Sequence, residues 1–244
     1  MKRLMLALTA GLACGAWAGD ATVDGVRTLT DTTVTVASEA ELGEGVTKVV
    51  LDNATLNFNL AADATLAKTY EAKNGGRIGI PAGRTASISS TLFLKPSLGN
   101  VFGKTGAGQL NIGTKLDAVS TPTTFEVFEG TVKLTTGDFF GGHSAATTNF
   151  AIKVHAGATW HNGSNHCSVG PVELTGATWI SDNPEPYSGF WAETSFKGGI
   201  VVHPSEMPSK IYSTSWDFLT QPLSTNPNAS QCVIDVETDA ELYV

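Results

Sequence analysis

The chain has 244 residues, 41% of them hydrophobic and 16% charged, with 26 glycines and a formal net charge of −8. A patterned hydrophobic share of that size excludes a disordered polypeptide. The acidic balance excludes electrostatic attraction to nucleic acid or anionic lipid.

Residues 1–18 carry the marks of an export leader. Lys2 and Arg3 form the charged start, residues 4–14 a short apolar run, and Ala16-Trp17-Ala18 the small-residue cleavage site. The apolar run is too short for a mature membrane helix, and no later segment is long and apolar enough to cross a bilayer. Lipid attachment at Cys14 is the weaker alternative, because Gly11 rather than Leu stands three residues before it. Cleavage after Ala18 removes Lys2 and Arg3, so 13 of the 15 basic residues remain against 23 acidic ones. The leader predicts an exported protein, extracellular or at the cell surface or outer membrane, with the periplasm as the other compartment.

Past the leader, apolar residues alternate with polar ones, and helical periodicity is lacking. A nine-residue frame recurs four times: VTVASEAEL at 34–42, FNLAADATL at 58–66, IKVHAGATW at 152–160 and IDVETDAEL at 234–242. Forms one residue shorter, VVLDNATL and VELTGATW, stand at 49–56 and 172–179. Each reads as a strand, a tight corner and a second strand. Frames beginning at 34 and 58, or at 152 and 172, are spaced 24 and 20 residues apart, the length of one solenoid winding. The Ala before the second strand suits an inward corner with little room. Asp63 and Asp239, at the corner itself, suit a turn. Residues 19–181 are therefore expected to form an all-β parallel β-helix, within a stack of about ten coils holding ladders of Val, Ile, Leu and Phe. A β-sandwich is the alternative. Residues 182–232, rich in proline and aromatics, predict an irregular excursion or cap with a strand pair around 200–202. Residues 233–244 resume a final strand or coil.

The middle of the chain reads GKTGAGQLNIG at 103–113 and FEVFEGTVKL at 125–134. Lys104, Gly106, Gly108, Leu110, Ile112 and Gly113 match one half of a known repeat. Phe125, Val127, Gly130, Thr131, Val132 and Leu134 match the other. This resembles the autotransporter passenger-associated β-strand repeat, and one full copy covers about an eighth of the chain. The resemblance implies a right-handed parallel β-helix, export across the inner membrane and display at or beyond the cell surface. The family's C-terminal barrel of about a dozen strands has no counterpart up to Val244. The expectation is a short free-standing relative or a structural envelope fragment of a longer passenger.

Candidate chemistry is sparse. His161, His166 and Cys167 are the weak metal candidates, but their spacing matches no established ligand pattern and the residues between them are turn formers. No metal or cofactor is expected. Acids such as Asp52, Glu126 and Glu173 look scattered, and only Arg27, Arg77 and Arg84 remain after cleavage. No catalytic motif stands out, so no enzyme is expected. A β-helical polysaccharide lyase or hydrolase is the alternative, and it requires acids and a base converging on one sheet face. Trp160 and Trp179 hold equivalent frame positions and are expected to stack in the core. Tyr187, Trp191 and Trp216 are the candidate exposed platform for a glycan or protein partner. Cys167 and Cys232 remain after cleavage. A disulfide between them and two separate thiols are both open readings, and a bridge requires α-carbons within about 7 Å. The function expected is adhesive, binding or structural.

Overall fold

A computed structural model describes residues 20–88, 101–113, 123–136, 150–163, 167–181, 194–196, 198–213 and 233–244. The leader, His166, Tyr187, Trp191, Trp216 and Cys232 lie outside these residues.

The chain enters through β1 (Asp20–Val23), which folds back antiparallel on β2 (Val26–Thr30). It then winds. β3 (Thr33–Val36) and one 3-10 turn (Glu39–Leu42) complete the first winding. The second holds β4 (Lys48–Asp52), β5 (Thr55–Phe58) and β6 (Ala64–Leu66), and the third β7 (Thr69–Lys73), β8 (Arg77–Gly79) and β9 (Thr85–Ile88). Two described sides follow in each of three windings: β10 (Val101–Thr105) with β11 (Gln109–Ile112), β12 (Thr123–Val127) with β13 (Thr131–Leu134), and β14 (Phe150–Val154) with β15 (Thr159–His161). Three sides return with β16 (Cys167–Val169), β17 (Val172–Thr175) and β18 (Thr178–Ser181), then β19 (Thr194–Phe196), β20 (Ile200–His203) and β21 (Ser209–Ser213). β22 (Ile234–Val236) and β23 (Leu242–Tyr243) lie on top.

The protein is a parallel β-solenoid. One sheet runs β3-β5-β8-β10-β12-β14-β17-β20-β22 and another β6-β9-β11-β13-β15-β18-β21-β23, with smaller sheets β1-β2-β4-β7 and β16-β19. Among the described strands only β1 and β2 pair antiparallel, which removes the sandwich alternative. About five turns show all three sides, rather than the ten coils expected. Within 182–232, the stretch expected to leave the coil, β20 and β21 continue the two long sheets in parallel register.

Alternation builds the core. Inward residues of the nine-stranded sheet stack as Phe102, Phe125, Ile152, Val172 and Ile200, and as Val127, Val154, Leu174 and Val202, all between 0% and 1% exposed. Trp160 and Trp179 are register partners in the other long sheet, with ring centroids 5.8 Å apart and planes at 22°. Both are buried, and each indole N–H finds an acceptor two residues along its own chain. Trp160 Nε1 donates to Asn162 Oδ1 at 2.7 Å and Trp179 Nε1 to Ser181 Oγ at 3.3 Å. A buried indole without such a partner would be costly.

The frame is not one structural register. Val34 pairs with Leu56 and Val36 with Phe58, so the first two copies sit two residues out of step. The copies at 152 and 172 are in step at both ends, Ile152 on Val172 and Trp160 on Trp179. The frame Ala also varies. Ala54, Ala158 and Ala177 are buried corners as expected, but Ala40 is exposed because a 3-10 turn replaces the strand there. Corner acids do more than turn the chain. Glu39 accepts backbone N–H groups from Ala67 at 2.7 Å and Lys68 at 2.9 Å, plus the Tyr70 hydroxyl. Asp63 accepts the Thr85 N–H at 2.8 Å. Glu39 and Asp63 thus stitch their windings to the next.

The repeat-like motif has a physical basis in one buried cation. Lys104 stands in a core column between Ile78 and Val127 and is 0% exposed. Its Nζ donates to the carbonyl oxygens of Gly106, of Gly108 at 2.5 Å and of Glu129 at 2.8 Å. Three N–H groups meet three carbonyls, which offsets part of the cost of burying the charge. Gly106 and Gly130 have φ of +75° and +67°, and a Cβ at either would collide with a neighbouring backbone carbonyl. The lysine and glycines therefore serve one corner spanning two layers.

Candidate functional site

Outward side chains of the nine-stranded sheet form two columns. Register places Arg77, Gly103, Glu126, Lys153, Glu173, Val201 and Asp235 in the first. The second, two residues along, carries Thr35, Asn57, Gly79 and Thr105, then Thr175 and His203. Phe128, His155 and Glu237 follow directly after β12, β14 and β22 on the same side. From Arg77 to Glu237 the face rises six layers, about 30 Å at the usual strand spacing.

The lower part is a stack of flat groups. The Arg77 guanidinium carbon lies 4.3 Å from the Phe128 ring centroid. Phe128 stacks on His155 at 4.8 Å and 8°. His155 Nε2 is 3.4 Å from Glu126 Oε2. Gly103 makes room for the pair, since a Cβ there would lie 2.8 Å from Arg77 Cγ and 2.9 Å from Phe128 Cε2. Arg77 and His155 cover both faces of Phe128, leaving its edge for contact.

The upper part is a chain of ion pairs. Lys153 Nζ is 3.0 Å from Glu173 Oε2, which also lies 3.4 Å from His203 Nε2. His203 Nδ1 is 3.0 Å from Glu237 Oε2. The hydrogen bond to Glu237 holds the His203 imidazole above its ordinary pKa, with Glu173 adding to it and burial opposing. These groups can exchange protons or bind a partner of mixed charge. On the same face, near the first windings, Thr35, Asn57, Asn59 and Gly79 line a shallow depression.

Comparison of the chain with protein-family models, curated proteins and solved structures finds no match to any of them.

The residues singled out from sequence mostly fall elsewhere. His161 is on the outer side of β15, in register with Lys133 and Ile180 on the eight-stranded sheet. The Cys167 backbone opens β16 opposite Thr194, but its side chain lies outside the description. Among the described residues no group of three or more His, Cys, Asp or Glu is placed to hold a metal ion. What sequence reasoning missed is the convergence of Glu126, Lys153, Glu173, His203 and Glu237. Aligning the frames at 152 and 172 sets Lys153 opposite Glu173, and that signal was available. His203 looks remote along the chain yet belongs to the same face.

Proposed function

We propose that the chain is an exported, surface-displayed protein of the autotransporter-passenger kind with an adhesive or structural role. Its partner is a glycan or protein at the cell surface. The parallel solenoid, the motif at 103–134 and the leader support the reading. The observation that carries it is the outer face of the nine-stranded sheet, where charges of opposite sign from successive layers meet. Such half-exposed pairs contribute only about 0–1 kcal/mol each, so their order along a rigid face serves recognition better than stability. The test is binding of the mature chain to glycan and matrix-protein arrays, repeated with Lys153→Gln and Glu173→Gln together. Silence on both arrays would sink adhesion and leave the structural role, including that of a segment of a longer passenger.

One observation favours a second reading, a β-helical polysaccharide lyase or hydrolase. Lys153, Glu173, His203 and Glu237 come from four successive layers and touch in a chain, as acid–base work on a sheet face requires. Incubation with neutral and uronate polysaccharides tests it. New reducing ends or unsaturated uronates that vanish with Glu173→Gln would establish it, and no product would end it.

A further inference from the structure

Charge is unevenly spread along the outer face of the nine-stranded sheet. Outward positions of β3, β5, β8 and β10 hold one charged side chain, Arg77, and no acid. Acids begin one layer higher with Glu126, which is engaged by His155. In a chain of formal net charge −8, the four lower strands thus leave a cation unopposed on this face.

Arg77 is exposed, and among the described residues no hydrogen bond or ion pair engages its guanidinium. Its direction is nevertheless fixed. The stem passes over Gly103, where a Cβ would lie 2.8 Å from Arg77 Cγ, and the guanidinium carbon rests 4.3 Å from the Phe128 ring centroid. The ring contact orients the group without spending its N–H donors, and a guanidinium matches a carboxylate with two parallel hydrogen bonds.

Beside it lies a gap. Phe128 follows Val127, the partner of Lys104, and so stands one layer above Thr105 in the column that runs down through Gly79, Asn57 and Thr35. Gly79 supplies no side chain to this column. A Cβ there would lie 2.0 Å from Asn57 Oδ1 and 3.4 Å from Thr105 Cγ2. The space forms the depression lined by Thr35, Asn57, Asn59, Gly79 and Pro81, about 160 Å³ in volume. Among the described residues the side chains of Thr35, Asn57 and Asn59 have no hydrogen-bond partner. They offer amide and hydroxyl groups to sugar hydroxyls, with Pro81 as an apolar flank for ring C–H groups. Pockets for drug-sized ligands hold roughly 300–1,000 Å³, so the depression suits one sugar ring rather than a chain segment. The guanidinium stands one to two layers above Gly79, about 5–10 Å, which a ring and its carboxyl substituent can span.

We propose that the depression and Arg77 together bind one uronate residue of a glycan. Its carboxylate pairs with the Arg77 guanidinium, and its ring hydroxyls meet Asn57 and Asn59. The site presupposes that this face serves in recognition, and it names the sugar taken at the lower end. A single uronate fits better than a polyanion, because one cation is present and Glu126 and Glu173 occupy layers above it.

Saturation-transfer NMR on the full chain with methyl β-glucuronide, methyl β-glucoside and acetate tests the proposal. Methyl glucuronide is expected to bind at least about tenfold more tightly than either of the others, because only it carries both the carboxylate and the hydroxyls. Arg77→Gln should reduce methyl glucuronide to the level of methyl glucoside and leave methyl glucoside as in wild type, which also shows that the variant is folded. Gly79→Thr, a filling that a strand tolerates, should remove binding of both sugars with an unchanged far-ultraviolet circular dichroism spectrum. Equal binding of the two sugars, acetate as tight as methyl glucuronide, or methyl glucuronide binding untouched by Arg77→Gln would overturn the proposal. So would array binding confined to proteins and neutral glycans, which would leave the adhesive role standing. Silent arrays would sink that role, and methyl glucuronide binding lost in Arg77→Gln would still establish the site.

Discussion

Lys104 gives the sharpest test of the packing argument, because its charge and its hydrogen bonds pull stability in opposite directions. Burial lowers its pKa from 10.5 to about 8, with the Glu129 charge acting weakly against it. In the unfolded chain the amine keeps its ordinary value. Between pH 8 and 10.5 the unfolded state therefore binds more protons than the folded state, and stability rises with pH. From pH 7 to pH 10 the gain is about 2.5 kcal/mol, from roughly two pKa units at 1.36 kcal/mol each. Deprotonation orphans no carbonyl. A neutral amine still has two N–H groups for Gly106 and Glu129, and the Gly108 carbonyl keeps the Thr131 N–H at 3.1 Å. Lys104→Met retains the stem but leaves the Gly106 and Glu129 carbonyls without that donor, at about 1–3 kcal/mol each. The variant should be less stable than wild type by about 2–6 kcal/mol at pH 10, and by about 2.5 kcal/mol less than that at pH 7. Urea unfolding of both proteins at the two pH values measures this difference of differences and cancels every other titrating group. Parallel pH profiles for wild type and Lys104→Met would refute the reasoning, whatever the absolute stabilities.

Other expectations rest on single sites. Trp160→Ala should cost about 3–5 kcal/mol in urea unfolding, because the cavity opens in the closed stack between Phe125 and Trp179. Gly106→Ala should destabilise by more than about 1 kcal/mol, since φ is +75° and the new methyl group meets the Ile80 carbonyl. The His203 imidazole should titrate above 6.5 by proton NMR, and Glu237→Gln should bring it down toward that value. Because the folded pKa is the raised one, the stabilisation from this pair is fully present below pH 6.5. It is lost as pH rises through the folded value. A His203 titration that ignores Glu237→Gln would contradict the 3.0 Å pairing.

The solenoid was legible because strand parity is robust. A slip of one residue would turn every side chain to the opposite face, whereas a slip of two leaves inside and outside unchanged. The frames at 34 and 58 are out of step by two, yet Val34, Val36, Phe58 and Leu60 all point inward as expected. How each winding closes was less legible. Glu39–Leu42 closes one winding as a 3-10 turn where β6 and β9 close the next two as strands. Leu242, a frame-ending residue expected in the core, pairs with Ser209 and is only partly buried. Among the described residues β23 pairs with β21 alone.

The lateral face was less legible for a reason of spacing. Arg77, Gly103, Glu126, Lys153 and Glu173 are successive register partners, but 26, 23, 27 and 20 residues separate them. Unequal spacing between layers erases any fixed period, so acids that look scattered along the chain converge in space. The matched motif gives no hint of the face because its polar chemistry points inward. Lys104 bonds three carbonyls, and Gly106 and Gly130 permit the corner. Lys104 and its glycines thus report how this coil closes, whereas what it touches is set by residues outside the core such as Arg77, Lys153 and His203. Two solenoids with this motif can therefore share a core and bind unrelated partners, and exchanging the outward column while keeping Lys104 and its glycines should transfer binding without loss of fold.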